Sequence, residues 1–330
     1  MKNGIIFVLV LFLTSTAFSQ DYLARARQEK EWGYIKKDGS WFINPQFARV
    51  NNFSEGLASV QAVGGLWGFI DKEGGYVVNP QFNAANNFSE GLASIKKEKL
   101  WGFIDKEGNY VINPQFENTY DFSEGLVHVR LGKQWGYIDK KGNYVINPQF
   151  ERAEPFSYGI ARVRVGGRWG YINKDGKYEI NPQFDDAGDF HDGYAKVRKG
   201  KLWGFINKDG KIIINPQFVQ VKDFDNGTAA VKQGKEWGFI DKKGKFTINP
   251  QFLNALSFSE GMAAVRQGKQ WGYINKDGKF VVNPQFEGAM DYHYGMALVK
   301  KAGLYGWIDK DGNFAINPGF GNAYRFVKVK

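Results

Sequence analysis

A tryptophan–glycine pair opens the same phrase eight times in this chain of 330 residues, at Trp32, Trp67, Trp101, Trp135, Trp169, Trp203, Trp237 and Trp271. A ninth copy, at Tyr305, reads YGWIDKDG. The spacing is 34 residues throughout, with one step of 35 between Trp32 and Trp67. Self-similarity at such a period means one supersecondary unit copied in series, each copy burying its apolar face on its neighbours. Modules begin near residues 23, 57, 92, 126, 160, 194, 228, 262 and 296.

Each module reads as three short strands. In the third, Leu92 to Lys97 alternates Ala93 and Ile95 with Ser94 and Lys96, the period of two of a strand with one buried face. Trp101 to Ile104 and Tyr110 to Ile112 supply the second and third strands. Between these two, Asp105-Lys106-Glu107-Gly108 suits a type I turn closed by a left-handed glycine. The unit is thus an antiparallel meander. A 34-residue period also occurs in tetratricopeptide helices, but an Asn-Pro in mid-unit and β-rich segments of four to six residues argue against helical hairpins. After the third strand comes Asn-Pro-Gln-Phe, as in Asn113 to Phe116. Proline cannot donate to a ladder, so Pro114 and its equivalents should end a strand or lie on a sheet edge. A connector ending in Phe-Ser-Glu-Gly, as in Phe122 to Gly125, carries the chain onward, its phenylalanines pinned to the sheet beneath.

The joint pattern of WGYIDKKGNYVINPQF and FSEGLASV resembles the WG-repeat family of bacterial proteins, also called KWG repeats, over about residues 23 to 326. The resemblance implies β-rich tandem repeats, frequently exported or surface-linked, with no general enzymatic activity. Departures are Tyr305 for tryptophan, Gly319 for the glutamine of Pro-Gln-Phe, and Tyr158 and Tyr294 for the glutamate of Ser-Glu-Gly.

Residues 1–19 read as a secretory signal: Lys2, an apolar run from Ile5 to Leu13, then small and polar residues. That run is shorter than the ~20 residues of a spanning helix, so no transmembrane anchor is expected after cleavage. The expected destination is periplasmic, cell-surface or secreted. There is no cysteine, which excludes disulfides and a lipid-modified cysteine, so packing alone must hold the array. The net charge of +10 is spread over every repeat, and in an exported chain it points to anionic glycans or acidic proteins rather than nucleic acid.

Nine meanders make too many strands for one twisted sheet, which rarely exceeds ~10. The fold class is therefore all-β, with nine modules stacked as a curved, solenoid-like array. The alternative is a closed, propeller-like ring. Propellers usually carry four strands per blade and four to eight blades, which favours the open array. At the chain's end, Asn322 to Phe326 loosely repeats Asn83 to Phe88, and Val327 to Lys330 resembles a tenth first strand. This fragment caps the last sheet, or pairs back with module one to close a ring.

Chemistry confined to one place should break the repeat. His191 and His293 share a phase, whereas His128 lies elsewhere in its module, so no metal cluster and no cofactor is expected. Glu55, Glu90, Glu124 and Glu260 recur in the Ser-Glu-Gly corner, and Tyr, Asp or Asn replaces them in other copies, which suits a turn better than an acid catalyst. The Asp-Lys-Asp-Gly tips carry too few oxygens and a central lysine for calcium. Glu179, an odd charge in an apolar strand, should face solvent. The irregularity that stands out is basic: Arg162, Arg164, Arg168, Lys196 and Arg198, with Tyr158 and Tyr194 nearby, suit an anionic glycan or acidic protein. A charged strand surface that resists aggregation explains the same residues. The leading function is a non-enzymatic exported scaffold binding a protein or polysaccharide of the cell envelope. The alternatives are an envelope polysaccharide hydrolase or lyase, and a structural spacer or adhesin stalk.

Overall fold

A computed structural model describes residues 22–329, and every regular element among them is a strand. The leader segment proposed for residues 1–19 lies outside the described residues. The chain forms a closed ring of nine antiparallel sheets, or blades, the arrangement given above as the alternative to an open array. Each blade has four strands rather than three, because the connector donates a strand of its own. In blade 4 the connector strand is Asn118–Thr119, followed by Val127–Leu131, Gln134–Ile138 and Tyr144–Phe150. In blades 3, 6 and 9 the connector strand lengthens to six residues, Ala84–Ser89, Asp186–His191 and Gly288–His293.

Blade 1 settles the topology. Its strands Tyr22–Gln28, Glu31–Ile35 and Trp41–Phe47 have no connector strand ahead of them among the described residues, and Asn322–Ala323 takes that place, with Ala26 opposite Ala323. Val327–Lys328 then pairs with Tyr22 and Leu23. The same apolar seam recurs at all nine joints. A β-carbon added to the hairpin glycine Gly142 of blade 4 would touch Ile112 of blade 3 at 3.4 Å, and one on Gly39 of blade 1 would touch Ile316 of blade 9 at 3.3 Å. A module of 34 residues is too small to bury a core alone, so the ring is the unit of stability.

The Trp-Gly pair has a backbone reason. In blade 4, Trp135 and Tyr137 of the second strand oppose Phe150 and Ile146 of the third, so the third strand carries two extra residues in a bulge. That bulge, Asn147-Pro148, folds over Gly136: a β-carbon there would lie 2.5 Å from the Ile146 carbonyl oxygen and 2.6 Å from the Pro148 nitrogen. Only glycine admits so close a backbone approach. The proline itself sits on a sheet edge, where its missing N–H costs no ladder bond.

The corner glutamates hold neighbouring blades together. Glu124 has a left-handed backbone, φ 54°, and its carboxylate accepts from the Gly159 N–H of the next corner at 3.0 Å. Lys174, from the next blade's hairpin tip, completes the clamp at 3.2 Å. Glu55 with Gly91 and Lys106, Glu90 with Gly125 and Lys140, and Glu260 with Gly295 and Lys310 repeat it. The Ser54 hydroxyl adds a bond to the Phe88 carbonyl at 2.7 Å. The turn reading of these acids thus gains a second part, and the tip lysine that argued against calcium is one half of a blade-to-blade contact.

Candidate functional site

One register position of the first strand varies round the ring while the frame around it repeats. It holds Arg25, Ser59, Ser94, His128, Arg162, Lys196, Ala230, Ala264 and Leu298 in blades 1 to 9. Each lies directly opposite the aromatic residue of the second strand, as Arg25 does to Tyr34 and His128 to Tyr137, and both face the next blade. Two residues further on stands a cation in every blade except blade 2, opposite the indole or, in blade 9, opposite Tyr305: Arg27 with Trp32, Lys96 with Trp101, Arg130 with Trp135. The cations lie over those rings at 5.8, 5.9 and 6.0 Å, within reach of cation–π attraction.

Two seams open into clefts, and both follow one plan. The first, about 350 Å³, lies between blades 1 and 2 and is lined by Arg25, Trp32 and Tyr324 on one side and Arg49, Val50, Asn51 and Trp67 on the other. The second, about 490 Å³, lies between blades 4 and 5, where Tyr120 and Trp135 face Arg152 and Glu154. Tyr324 and Tyr120 occupy the same place on the connector, each leaning on its tryptophan at 5.5 and 6.1 Å. Connectors elsewhere carry Asn, Glu, Gly, Lys, Leu or Met at that place, and arginine stands first on a connector strand only at Arg49 and Arg152.

The electrostatics of the two clefts differ. In the larger one, Arg130 pairs with Glu117 at 3.4 Å, and Glu151 and Glu154 share the wall. His128 is buried beneath, stacked on Tyr120 at 4.7 Å, and burial pushes its imidazole down to about 3, so it stays neutral. Asp121, the next residue on that connector, is pushed up to about 6 by the same loss of solvent. In the smaller cleft Arg25 donates to the Val50 carbonyl at 2.9 Å and lies 3.8 Å over the Tyr324 ring. No carboxylate of the described residues lies within ion-pair distance of Arg25 or Arg49. Burial holds the Arg25 guanidinium below its usual range, with Tyr324 and Tyr34 acting in the opposite direction.

The basic residues singled out in sequence fall on two adjacent seams and are engaged there. Arg162 pairs with Asp189 of blade 6 at 2.8 Å and donates to the Ala187 carbonyl at 2.6 Å. Lys196 makes the equivalent contact with Asp223 of blade 7 at 3.0 Å. Arg164 reaches Glu151 at 3.7 Å, Arg198 reaches Asp186 at 3.7 Å, and Arg168 pairs with Asp185. Tyr158 sits in the corner of blade 5 with Lys208 over its ring at 5.3 Å, and Tyr194 packs on Phe224 with Lys242 over it at 5.5 Å. These seven side chains do not converge on one hollow. Glu179 is exposed and bonded to Asn173. His293 bridges Asp291 and Arg325 where the ring closes, His191 is exposed, and no group of three metal-ligating side chains exists among the described residues.

The family model of the WG containing repeat matches the chain nine times, at 32–67, 67–101, 101–135, 135–169, 169–203, 203–237, 237–271, 271–305 and 305–328. No curated protein matches the chain. Among solved structures, that of a eukaryotic initiation factor is similar at a TM-score of 0.64 and 10% identity, over 93% of this chain and 98% of that one. Dihydro-heme d1 dehydrogenase NirN in complex with DHE is similar at 0.51 and 12% identity, over 94% of this chain and 75% of that one. At such identities the likeness concerns the fold alone.

Proposed function

The chain belongs to the WG containing repeat family, and from that premise we propose that it is an exported, non-enzymatic binding scaffold whose blade seams hold a protein or polysaccharide of the cell envelope. One observation carries this reading. The frame is copied nine times, while variation gathers at the seam position from Arg25 to Leu298 and on the connector facing it, so ligand-contacting chemistry changes without disturbing the fold. Sites on a rigid scaffold are how repeat proteins present extended binding surfaces. The corner acids Glu55, Glu90, Glu124 and Glu260 each bond the next blade's glycine N–H, which supports a structural rather than a catalytic role for them. The signal-like leader and the excess of lysine and arginine support an envelope location and acidic partners.

A pull-down from envelope extract with the protein lacking residues 1–19, run beside a reducing-end assay on the captured polymer, tests it. Capture of an envelope protein or polymer without new ends is the expected outcome. New reducing ends would make the protein a hydrolase or lyase, and no capture at all would leave a spacer.

A further inference from the structure

We infer that the cleft between blades 1 and 2 binds a uronate residue of an acidic polysaccharide, its carboxylate held by Arg25 and Arg49 and its ring face laid against Trp32 and Tyr324. The inference rests on the reading of the ring as a binding scaffold and gives one seam its ligand. Arg25 is half-buried, it spends one N–H on the Val50 carbonyl, and its Nε is buried with no partner among the described residues. A desolvated guanidinium without a counter-charge is costly, and a planar carboxylate is the group its fork pairs with best. Arg49, exposed at the mouth, adds a second cation. Elsewhere round the ring, Arg130, Arg162, Arg164, Arg168 and Arg198 have carboxylates from the protein itself, and although Arg27, Arg152 and Arg266 have none within ion-pair distance among the described residues, it is Arg25 and Arg49 that line one cleft together.

The floor selects among carboxylates. Trp32 and Tyr324 meet at 37°, a shallow V, and Trp67 lies across from them. A V of aromatic faces fits the puckered C–H face of a pyranose, whereas a flat ring needs a parallel slot. The volume, about 350 Å³, stands at the small end of the ~300–1,000 Å³ of ligand pockets, the size for a short stretch of sugar. A peptide laid along the connector edge would need its carbonyls, but Val50 O is taken by Arg25 and Asn51 O by the Tyr34 hydroxyl at 2.7 Å.

Titration calorimetry with hexagalacturonate, its full methyl ester and sodium sulfate tests the site, using wild type, Arg49→Ala and Lys211→Ala, the last an exposed hairpin lysine in blade 6 that removes the same charge. Expected is binding of the acid form by wild type and Lys211→Ala, at least tenfold weaker binding by Arg49→Ala, and at least tenfold weaker binding of the ester. Equal affinity for acid and ester, or equal affinity of the two variants, overturns the assignment. Displacement of the hexamer by equimolar sulfate also overturns it, since the cleft then answers to charge alone. If the hexamer does not bind while envelope polymer or protein is still captured, the scaffold stands and this cleft assignment falls.

Discussion

The clefts at seams 1/2 and 4/5 share a tyrosine, a tryptophan and an entering arginine, three blades apart, yet the charged residues lining the first are cations alone and those lining the second are cations and carboxylates together. At the register position where the first has Arg25, the second has the buried, neutral His128. Where the first has Asn51, the second has Glu154, and Glu117 and Glu151 add two further carboxylates. Shape therefore comes from the repeat and charge from the few positions it leaves free. A ring built this way can diversify one seam at a time, because each seam is made by only two blades.

The strongest test of the shared frame replaces the glycine behind each tryptophan. Gly33→Ala and Gly136→Ala place a β-carbon 2.4 and 2.5 Å from the carbonyl oxygens of Ile43 and Ile146, and each should cost about 3 kcal/mol in urea unfolding, an overpacking that the backbone cannot relieve. A much smaller loss for Gly33→Ala would mean that blade 1, completed by Asn322–Ala323, yields more easily than blade 4, and that the two clefts are not framed alike.

Acid sharpens the contrast next. His128 titrates near 3 in the fold and near 6.5 unfolded, so the unfolded chain takes the proton first and the stability held by the neutral ring is lost as pH falls below about 6.5. Asp121 has the reverse sign: raised to about 6, it takes its proton in the fold before the unfolded chain does, and stability is gained as pH falls from about 6 to 4. The two offset each other in wild type. Relative to wild type, over the fall from pH 6.5 to 4.5 His128→Gln should gain and Asp121→Asn should lose about 2 kcal/mol each, both read by denaturant titration at each pH. Arg25 gives seam 1/2 no such response.

The smallest stability effect belongs to the carboxylates of seam 4/5. Glu117→Gln with Glu154→Gln should change stability by under about 1 kcal/mol, since the Arg130–Glu117 pair is exposed to water. The same change leaves His128 where the counterpart has Arg25, so the stoichiometry of hexagalacturonate should stay at one. A rise to two would show that the acids, and not the missing arginine, keep this cleft from binding.

Much of the frame is legible in the sequence because it is periodic and local: the alternation of Ala93 and Ile95, the Asp105–Gly108 turn and the edge proline Pro114 each act over a few residues. The fourth strand is not, because two residues such as Asn118–Thr119 carry no alternation to read. Without it the blade reads as one strand short, which weighs against the ring even though Asn322 to Phe326 is recognisable as a fragment able to close it. The clefts fail for a different reason. Arg162 and Lys196 look free in sequence, yet their acids, Asp189 and Asp223, stand 27 residues on, in the next blade. Tyr324 has no sequence proximity to Arg25 and Arg49, and only closure of the ring brings it to their hollow.

Because blade 1 borrows its edge strand from Asn322–Ala323 and seats Phe326 and Val329 in its core, the ring stays unlatched until residues 322–329 have been made. Eight blades can form in order as they emerge, but the ninth seam waits for that segment. The number of copies is locked by the same latch. One module more or fewer changes the turn each blade must make, and evolution can edit this circle by altering its joints far more easily than by lengthening its circumference.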